Sequence, residues 1–465
     1  MKNLERLPKL IVKWADIFGQ VSKYNTYPAI LAYFNLLGQV LKDDITIMYG
    51  FTEEDTRVHV CWIQTARTGK TVLNDFYIEI CEQTFKLLNS RDDIEDDYFN
   101  IFDTLDITDS AMVGSHHMVT NPLYERNDPD SPKEISEQVD GALSGSGIAL
   151  FDEFESSGIF NKSAHKENVV VYFQRLMNTL CTNGYLIKKR LALSDEIICD
   201  CQRSIWGTTY VPEKLTYVIA SKGVLQRMFM YIREVPQDIR DEMRFNLIDA
   251  LGTIREREHP KLEFAKAIYT IVDEVKRAKE ELADGEQLIS FVSGVQDLLK
   301  VEYKAMRREI KDMTEEQQQV VSLFETNCLL YITKLAVLCA ITESPARPQN
   351  ERFKVFPRNV RQASVIVRQG YTSLASWLET ALKVQRHSIA EEIGLNDYIS
   401  AYNSSYPDED GLVLKNTLKV KLKELHNIST PKFYRQWPKV KHIFEENKKG
   451  KTAYLKLKPK DEWNE

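Results

Sequence analysis

An apolar run, Val58-His59-Val60-Cys61-Trp62-Ile63, leads straight into Gln64-Thr65-Ala66-Arg67-Thr68-Gly69-Lys70-Thr71, and a helix-like segment from Thr71 to Asn89 follows. A buried strand, a tight loop and a helix N-terminus must succeed one another, and few folds accommodate that. Backbone N–H groups of such a loop and the helix N-terminus converge on one spot, which suits phosphate oxygens. In that geometry Lys70 reaches the β/γ oxygens of a nucleotide and Thr71 holds Mg²⁺. One position departs from the pattern G-x-x-x-x-G-K-[ST]: Gln64 stands at its first glycine.

The 465 residues exceed one ordinary core, so two to four domains are expected. With 43% hydrophobic and 28% charged residues the composition is that of a globular chain. Glycine (19) and proline (15) are sparse enough for helix to dominate. No apolar run approaches the ~18 residues of a membrane span. The start, Met1-Lys2-Asn3-Leu4-Glu5-Arg6, lacks an apolar signal core, so a cytoplasmic protein without membrane contact is expected. Seven cysteines are scattered, and only Cys199 and Cys201 are close. Without a second Cys/His pair at ligand spacing they read as reduced thiols rather than a zinc site.

Four segments differ in pattern. Residues 1–56 are a helical lead-in, with an apolar helix from Tyr27 to Leu37, a strand at Ile45–Tyr49 and a turn at Thr52–Asp55. Residues 57–236 alternate strand and helix, which predicts an α/β core: a parallel sheet with helices on both faces. Within it, Asn121 to Ser136 reads as a long polar loop. Residues 237–385 form a helical bundle, with helical spacing over 265–275, 286–312 and 315–341 and from Pro357 towards Val384. In residues 386–465 a basic helix, Leu412 to Leu425, precedes an alternating terminal strand near Ala453–Leu457. Helices followed by a basic hairpin suggest a winged-helix-like domain.

Some eighty residues beyond Lys70, Gly147-Ile148-Ala149-Leu150-Phe151 ends in Asp152-Glu153. A buried parallel strand delivers carboxylates to its carboxyl edge in this way, and ligands of open α/β sheets bind at that edge. Asp152 would complete the Mg²⁺ shell and Glu153 would activate the attacking water. A further strand lies at Glu196–Cys201 or at Ser204–Trp206 and leads to Gly207-Thr208-Thr209. Thr208 or Thr209 would touch the γ-phosphate or position the water; a plain Gly-Thr turn is the other reading. Arg227, ahead of the apolar strand Met228–Tyr231, would sit at a rim. There it could enter a neighbouring subunit's site and stabilise charge on the transferring phosphoryl group.

Taken together, these segments resemble an AAA+ ATPase of the replicative-helicase type, closest to the helicase-like ATPases of phages and plasmids with superfamily 3 and minichromosome-maintenance features. Four stretches carry the resemblance over residues 25–240: the helix Tyr27–Leu37, Asp106-Ile107-Thr108-Asp109-Ser110-Ala111-Met112-Val113-Gly114, Leu150–Phe154, and Gly207-Thr208-Thr209 through Pro212-Glu213 to Gly223 and Arg227. The resemblance implies an AAA+ core, a first-sensor role for Thr208 or Thr209, a finger role for Arg227 and a helical lid. It also implies a second sensor, Arg358 or Arg361, at a helix start. The cofactors would be ATP and Mg²⁺, bound by residues 64–71, Asp152 and these arginines. The activity would be that of a hexameric DNA helicase in replication, in the host cytoplasm if the chain is a bacteriophage's, with primase or polymerase as possible partners.

Net charge is −7, yet Lys415 to Lys460 carries +11 and the rest −18, which points to a localised polyanion contact. Within that module Lys432, Arg435, Trp437, Lys439 and Lys441 interleave basic and aromatic residues. Cations there would neutralise phosphates of single-stranded or forked DNA, while the rings would either stack on bases or form the small domain's core. His116, His117 and Arg126, in the segment 114–140, would meet DNA if that segment lines a channel. Two alternatives to a motor remain: an ATP-dependent DNA-binding switch or helicase loader, and a structural DNA-binding protein with a decayed nucleotide site.

Overall fold

The computed structural model describes residues 4–21, 24–50, 52–94, 98–103, 113–122, 132–141, 143–152, 186–190, 196–210, 225–249, 258–283, 286–390, 395–408, 410–426, 433–434, 437–438, 440–449 and 452–459. The chain divides into two compact units, Met1–Glu379 and Thr380–Glu465.

The first unit opens with helices α1 (Lys9–Val21) and α2 (Thr26–Val40), then a hairpin of β1 (Ile47–Tyr49) and β2 (Thr52–Glu54). Strand β2 stands where a turn was expected. Antiparallel pairing with β1, Ile47 opposite Glu54 and Tyr49 opposite Thr52, holds this stretch extended. Then come β3 (Val60–Gln64), α3 (Lys70–Asn89), β4 (Phe99–Asp103), β5 (Gly114–Thr120), β6 (Glu134–Asp140), β7 (Gly145–Phe151), β8 (Leu186–Arg190), β9 (Glu196–Thr209) and β10 (Phe229–Arg233). Helices α4 (Gln237–Asp249), α5 (Glu258–Glu280), α6 (Val295–Glu309), α7 (Glu315–Ser322), α8 (Glu325–Glu343) and α9 (Pro357–Ala390, of which residues to Glu379 belong to this unit) follow. A short parallel pair, β11 (Ser290–Phe291) with β12 (Lys354–Val355), interrupts the helical pattern expected over 286–312.

Five strands form a parallel sheet in the order β10-β3-β9-β7-β4, flanked by helices as the alternating pattern predicts. Strand β9 runs unbroken through both stretches that the sequence offered as candidates. Its first half pairs antiparallel with β8 and its second half lies between β3 and β7. All five residues of β3 are buried, and β7 is buried from Ser146 onward. A sheet covered on both faces explains why these strands read as continuous apolar runs rather than alternating ones. Gly147 is required in β7: its φ is +123°, and a Cβ there would lie 1.8 Å from the Asn100 carbonyl oxygen of β4.

Helix α2 is buried over nearly its whole length and packs on β7 and β9. Its Asn35 amide donates to the carbonyls of Val58 and Ile205 at 2.6 and 3.1 Å. The stretch Glu325–Ala346 is long and apolar enough to cross a membrane by composition, but 72% of its most apolar 18 residues lie buried within the protein. It serves here as a core helix, α8. Beneath the sheet the buried Arg57 guanidinium bonds Asp55 and donates to the Cys201 carbonyl at 2.7 Å.

The second unit contains α10 (Leu395–Asn403), β13 (Leu412–Leu414), α11 (Lys415–His426), β14 (Phe444–Lys449) and β15 (Thr452–Leu457). Its three strands are antiparallel in the order β13-β15-β14. The basic helix thus begins at Lys415, because Leu412–Leu414 pairs with Tyr454–Lys456 instead. Tyr398, Leu418, Leu422, Phe433, Trp437, Ile443, Phe444 and Leu455 make the core.

Candidate phosphate-binding site

Strand β3 ends at Gln64, and the chain turns through Thr65–Gly69 into α3. Two residues of that turn are left-handed, Arg67 (φ +59°) and Gly69 (φ +80°), which is how five residues reverse direction before Lys70 starts the helix. Thr65, one residue beyond β3, is tied to the next strand's exit. Its N–H donates to the Arg233 carbonyl, and its hydroxyl accepts from the Val235 N–H at 2.9 Å.

Gln64 is wholly buried and acts as a staple. Its amide nitrogen donates to Asn25 Oδ1 at 2.9 Å and to Thr68 Oγ1 at 2.7 Å, and its amide oxygen accepts from the Trp62 indole at 3.0 Å. Asn25 returns a bond from Nδ2 to the Thr68 carbonyl at 2.9 Å, and the Thr68 hydroxyl closes on the Thr65 carbonyl at 2.6 Å. A side chain at position 64 therefore shapes the loop where the pattern has a bare backbone. Lys70 is 7% exposed. It donates to the Gln64 carbonyl at 2.7 Å and lies 4.2 Å from the Tyr210 ring centre. An anion with stronger acceptors would compete for this ammonium. Ala66, Arg67 and Thr71 are exposed around it.

Asp152 stands just beyond β7, at the carboxyl edge, half-buried. Thr208 near the end of β9 donates to Asp152 Oδ1 at 2.6 Å. Asn74, one turn into α3, donates to the Thr208 hydroxyl at 3.2 Å and accepts from the Trp206 indole at 3.0 Å. This chain of bonds links the helix behind the loop to the carboxylate. It also separates the two threonines: Thr208 touches Asp152, whereas Thr209, likewise buried, stands opposite Ile63 of β3. Gln64, Thr208 and Asp152 thus share one edge. At β3 the sheet order reverses, with β9 on one side and β10 on the other, and such a switch point opens a crevice for ligands. Glu153 lies outside the described residues.

A hydroxyl and a carboxylate are hard oxygen donors, and Mg²⁺ bound with nucleotide takes only one or two protein ligands. The exposed Thr71 hydroxyl and Asp152 fit that requirement. No group of three or more His, Cys, Asp or Glu suited to a metal of its own occurs among the described residues.

Arg227 sits at the other end of the sheet. It precedes β10, its carbonyl accepts from the Tyr331 hydroxyl at 2.6 Å, and the Phe229 N–H bonds the His59 carbonyl at the start of β3. Five residues of β10, about 17 Å at ~3.3 Å each, separate it from the phosphate loop's edge. Within one chain it serves no such site.

Arg358 and Arg361 do not meet the loop either. Gly370 of α9 packs on Met230, and Ser373 accepts from the Ile232 N–H, so the helix climbs alongside β10 towards the carboxyl edge. Arg361 and Arg358 come 12 and 15 residues before Ser373, roughly 18 and 22 Å lower at ~1.5 Å per residue. Both are exposed at the opposite edge, and Arg358 pairs with Glu343 at 3.3 Å. Neither is a second sensor in its own subunit.

His116 and His117 lie on a strand rather than in a loop. Strands β5 and β6 form an antiparallel hairpin, with His117 opposite Glu137 and His116 opposite Gln138. Exposed Glu134, Glu137 and Asp140 make β6 acidic, so this hairpin repels a phosphate backbone. Arg126 and the stretch 106–112 lie outside the described residues.

In the second unit Trp437 is 8% exposed, with its ring stacked between Phe433 and Phe444 at 5.4 and 5.6 Å. Its faces are taken, which corrects the expectation that it stacks on bases. Lys441 is exposed; Lys432, Arg435 and Lys439 lie outside the described residues. Sequence reasoning missed Asn25, Asn74 and Tyr210. Asn74 did leave a signal, a polar residue on the buried stripe of Leu73, Tyr77 and Ile80. Asn25 left none.

A comparison with protein-family models matches none of them, and a comparison with curated proteins returns no match.

Proposed function

We propose that the chain is an ATP-hydrolysing DNA motor of the AAA+ type that works as a ring of several copies, six by the resemblance, in replication. The observation that carries the reading is the convergence of Lys70, Thr71, Asp152 and Thr208 on one edge at the sheet's switch point. In this reading Lys70 leaves the Gln64 carbonyl for the β- and γ-phosphates, while the loop's N–H groups and the first turn of α3 hold the remaining oxygens. Thr71 and Asp152 would hold Mg²⁺, whose charge offsets that of the phosphates. Thr208, already bonded to Asp152, would orient the γ-phosphate, and Glu153, next in sequence, would take the proton of the attacking water. The distance of Arg227 from its own loop supports a role across a subunit boundary, where it would stabilise charge on the γ-phosphoryl of the next copy.

The second unit, with its basic helix and terminal hairpin, suits a winged-helix-like DNA-binding domain. The filled, fully bonded place of Gln64 argues against a decayed loop, since decay would leave its polar groups unpaired.

The test is ATP hydrolysis with and without single-stranded DNA. Lys70→Ala should abolish nucleotide binding, and Glu153→Gln should keep binding but stop turnover. Hydrolysis unchanged in Glu153→Gln would remove the assignment. Strand displacement on a forked duplex separates a motor from a switch or loader, which would hydrolyse ATP without unwinding.

A further inference from the structure

The aromatic row of the second unit ends at the surface. Phe444, Trp437 and Phe433 stack in the core, and Tyr434 meets Phe433 edge-on at 5.4 Å while remaining 58% exposed. Helix α11 runs beside this row. Lys415, Lys419 and Lys423 recur every four residues and so share one flank of it, about 6 Å apart. Lys415 lies 4.3 Å from the Trp437 ring and is held by Glu446 at 3.3 Å. Lys419 lies 5.9 Å from the Tyr434 ring, and Lys423 is exposed beyond it. Glu446 is engaged by Lys415, and Glu424 by Lys421 at 2.7 Å.

We infer that Tyr434, Lys419 and Lys423 form a binding site for single-stranded nucleic acid, with the ring stacking on an unpaired base and the two ammoniums on flanking phosphates. A base inside a duplex has both faces covered, so an exposed ring edged by lysines selects single strands. The +11 charge over 415–460 supplies the long-range attraction. The site rests on the nucleic-acid part of the reading above, but it moves the contact from Trp437 to α11 and Tyr434.

The full chain is titrated with a fluorescent oligothymidylate and with a duplex of equal length at several salt concentrations. Tyr434→Ala should weaken single-strand binding about 5- to 100-fold and leave the salt slope unchanged, and Tyr434→Phe should retain binding. Lys419→Ala with Lys423→Ala should lower the slope by about 1.4, since each single-strand phosphate contact contributes ~0.7. Thermal unfolding of each variant checks that the unit stays folded. Equal oligonucleotide binding by wild type, Tyr434→Ala and the double lysine variant overturns the site and leaves the DNA reading standing. Equal losses for the duplex overturn the single-strand assignment. Wild-type protein that hydrolyses ATP but binds no oligonucleotide overturns both the site and the DNA reading.

Discussion

Gln64→Gly would bring the loop into line with G-x-x-x-x-G-K-[ST], and on sequence grounds it should be harmless or beneficial. The structure predicts damage. The change removes the bonds to Asn25 Oδ1 and Thr68 Oγ1 and the acceptor of the Trp62 indole. Thr68 keeps its bond to the Thr65 carbonyl, but the Trp62 N–H and Asn25 Oδ1 are left in a wholly buried place. Each orphaned group costs about 1–3 kcal/mol. A water entering the vacated space recovers part of that, while glycine adds roughly 0.5–1 kcal/mol of backbone entropy. The net loss should be about 3 kcal/mol, a large share of the ~5–15 kcal/mol that holds a domain together. Urea unfolding followed by tryptophan fluorescence reads this directly, because Trp62 and Trp206 both lie in the sheet of the first unit. Asn25→Ala should cost a similar amount, and the double variant should show coupling above about 1 kcal/mol, since the two side chains share their bonds. Nucleotide affinity should fall in all three. An unchanged or higher urea midpoint in Gln64→Gly, with equal or tighter nucleotide binding, would refute the staple.

Thr208→Val removes the donor to Asp152 and the acceptor for Asn74; ATP turnover should drop at least about tenfold with nucleotide binding retained, measured by steady-state hydrolysis beside a binding titration. Mixing Arg227→Ala with Lys70→Ala subunits should restore part of the hydrolysis that each lacks alone, and no recovery in verified mixed oligomers counts against a contribution in trans. Burial opposes the charge of Asp55, but Arg57 and Lys334 outweigh it and hold its carboxyl at about 2. Because that lies below the ~3.9 of an unfolded chain, its contribution, about 2–3 kcal/mol, is complete above pH ~4 and is lost as pH falls towards 2. Asp55→Asn should therefore weaken the first unit most near neutral pH, where it also strands the buried Arg57 charge, and its gap to wild type in urea unfolding should narrow between pH ~4 and ~2.

What was legible in the sequence was local. The strand, loop and helix around Lys70 announce themselves because an apolar run, Gly69-Lys70-Thr71 and a helix-like segment follow one another directly. The edge position of Asp152 follows equally from the apolar run before it, and the two apolar halves of β9 are both visible. Burial on both faces is what makes such strands continuous in composition, so composition reveals them. The interruption at β11 and the short strand β13 escaped because each exists only by pairing with a distant segment.

Tertiary structure alone decided the rest, since the deciding partner in each case lies far away along the chain. Asn25 reaches Gln64 across 39 residues, and no pattern around either announces it. Thr208 was separated from Thr209 by which face of β9 looks towards Asp152. The helix α9 looked able to offer Arg358 and Arg361 to the loop until its direction along β10 placed them at the opposite edge. Trp437 carried the same residue type and the same basic neighbours as an exposed stacking ring, and only the rings on either side of it show that its faces are already covered. Residue types and their spacing set what chemistry this chain can hold; the packing of remote segments set which of those residues stand where that chemistry can occur.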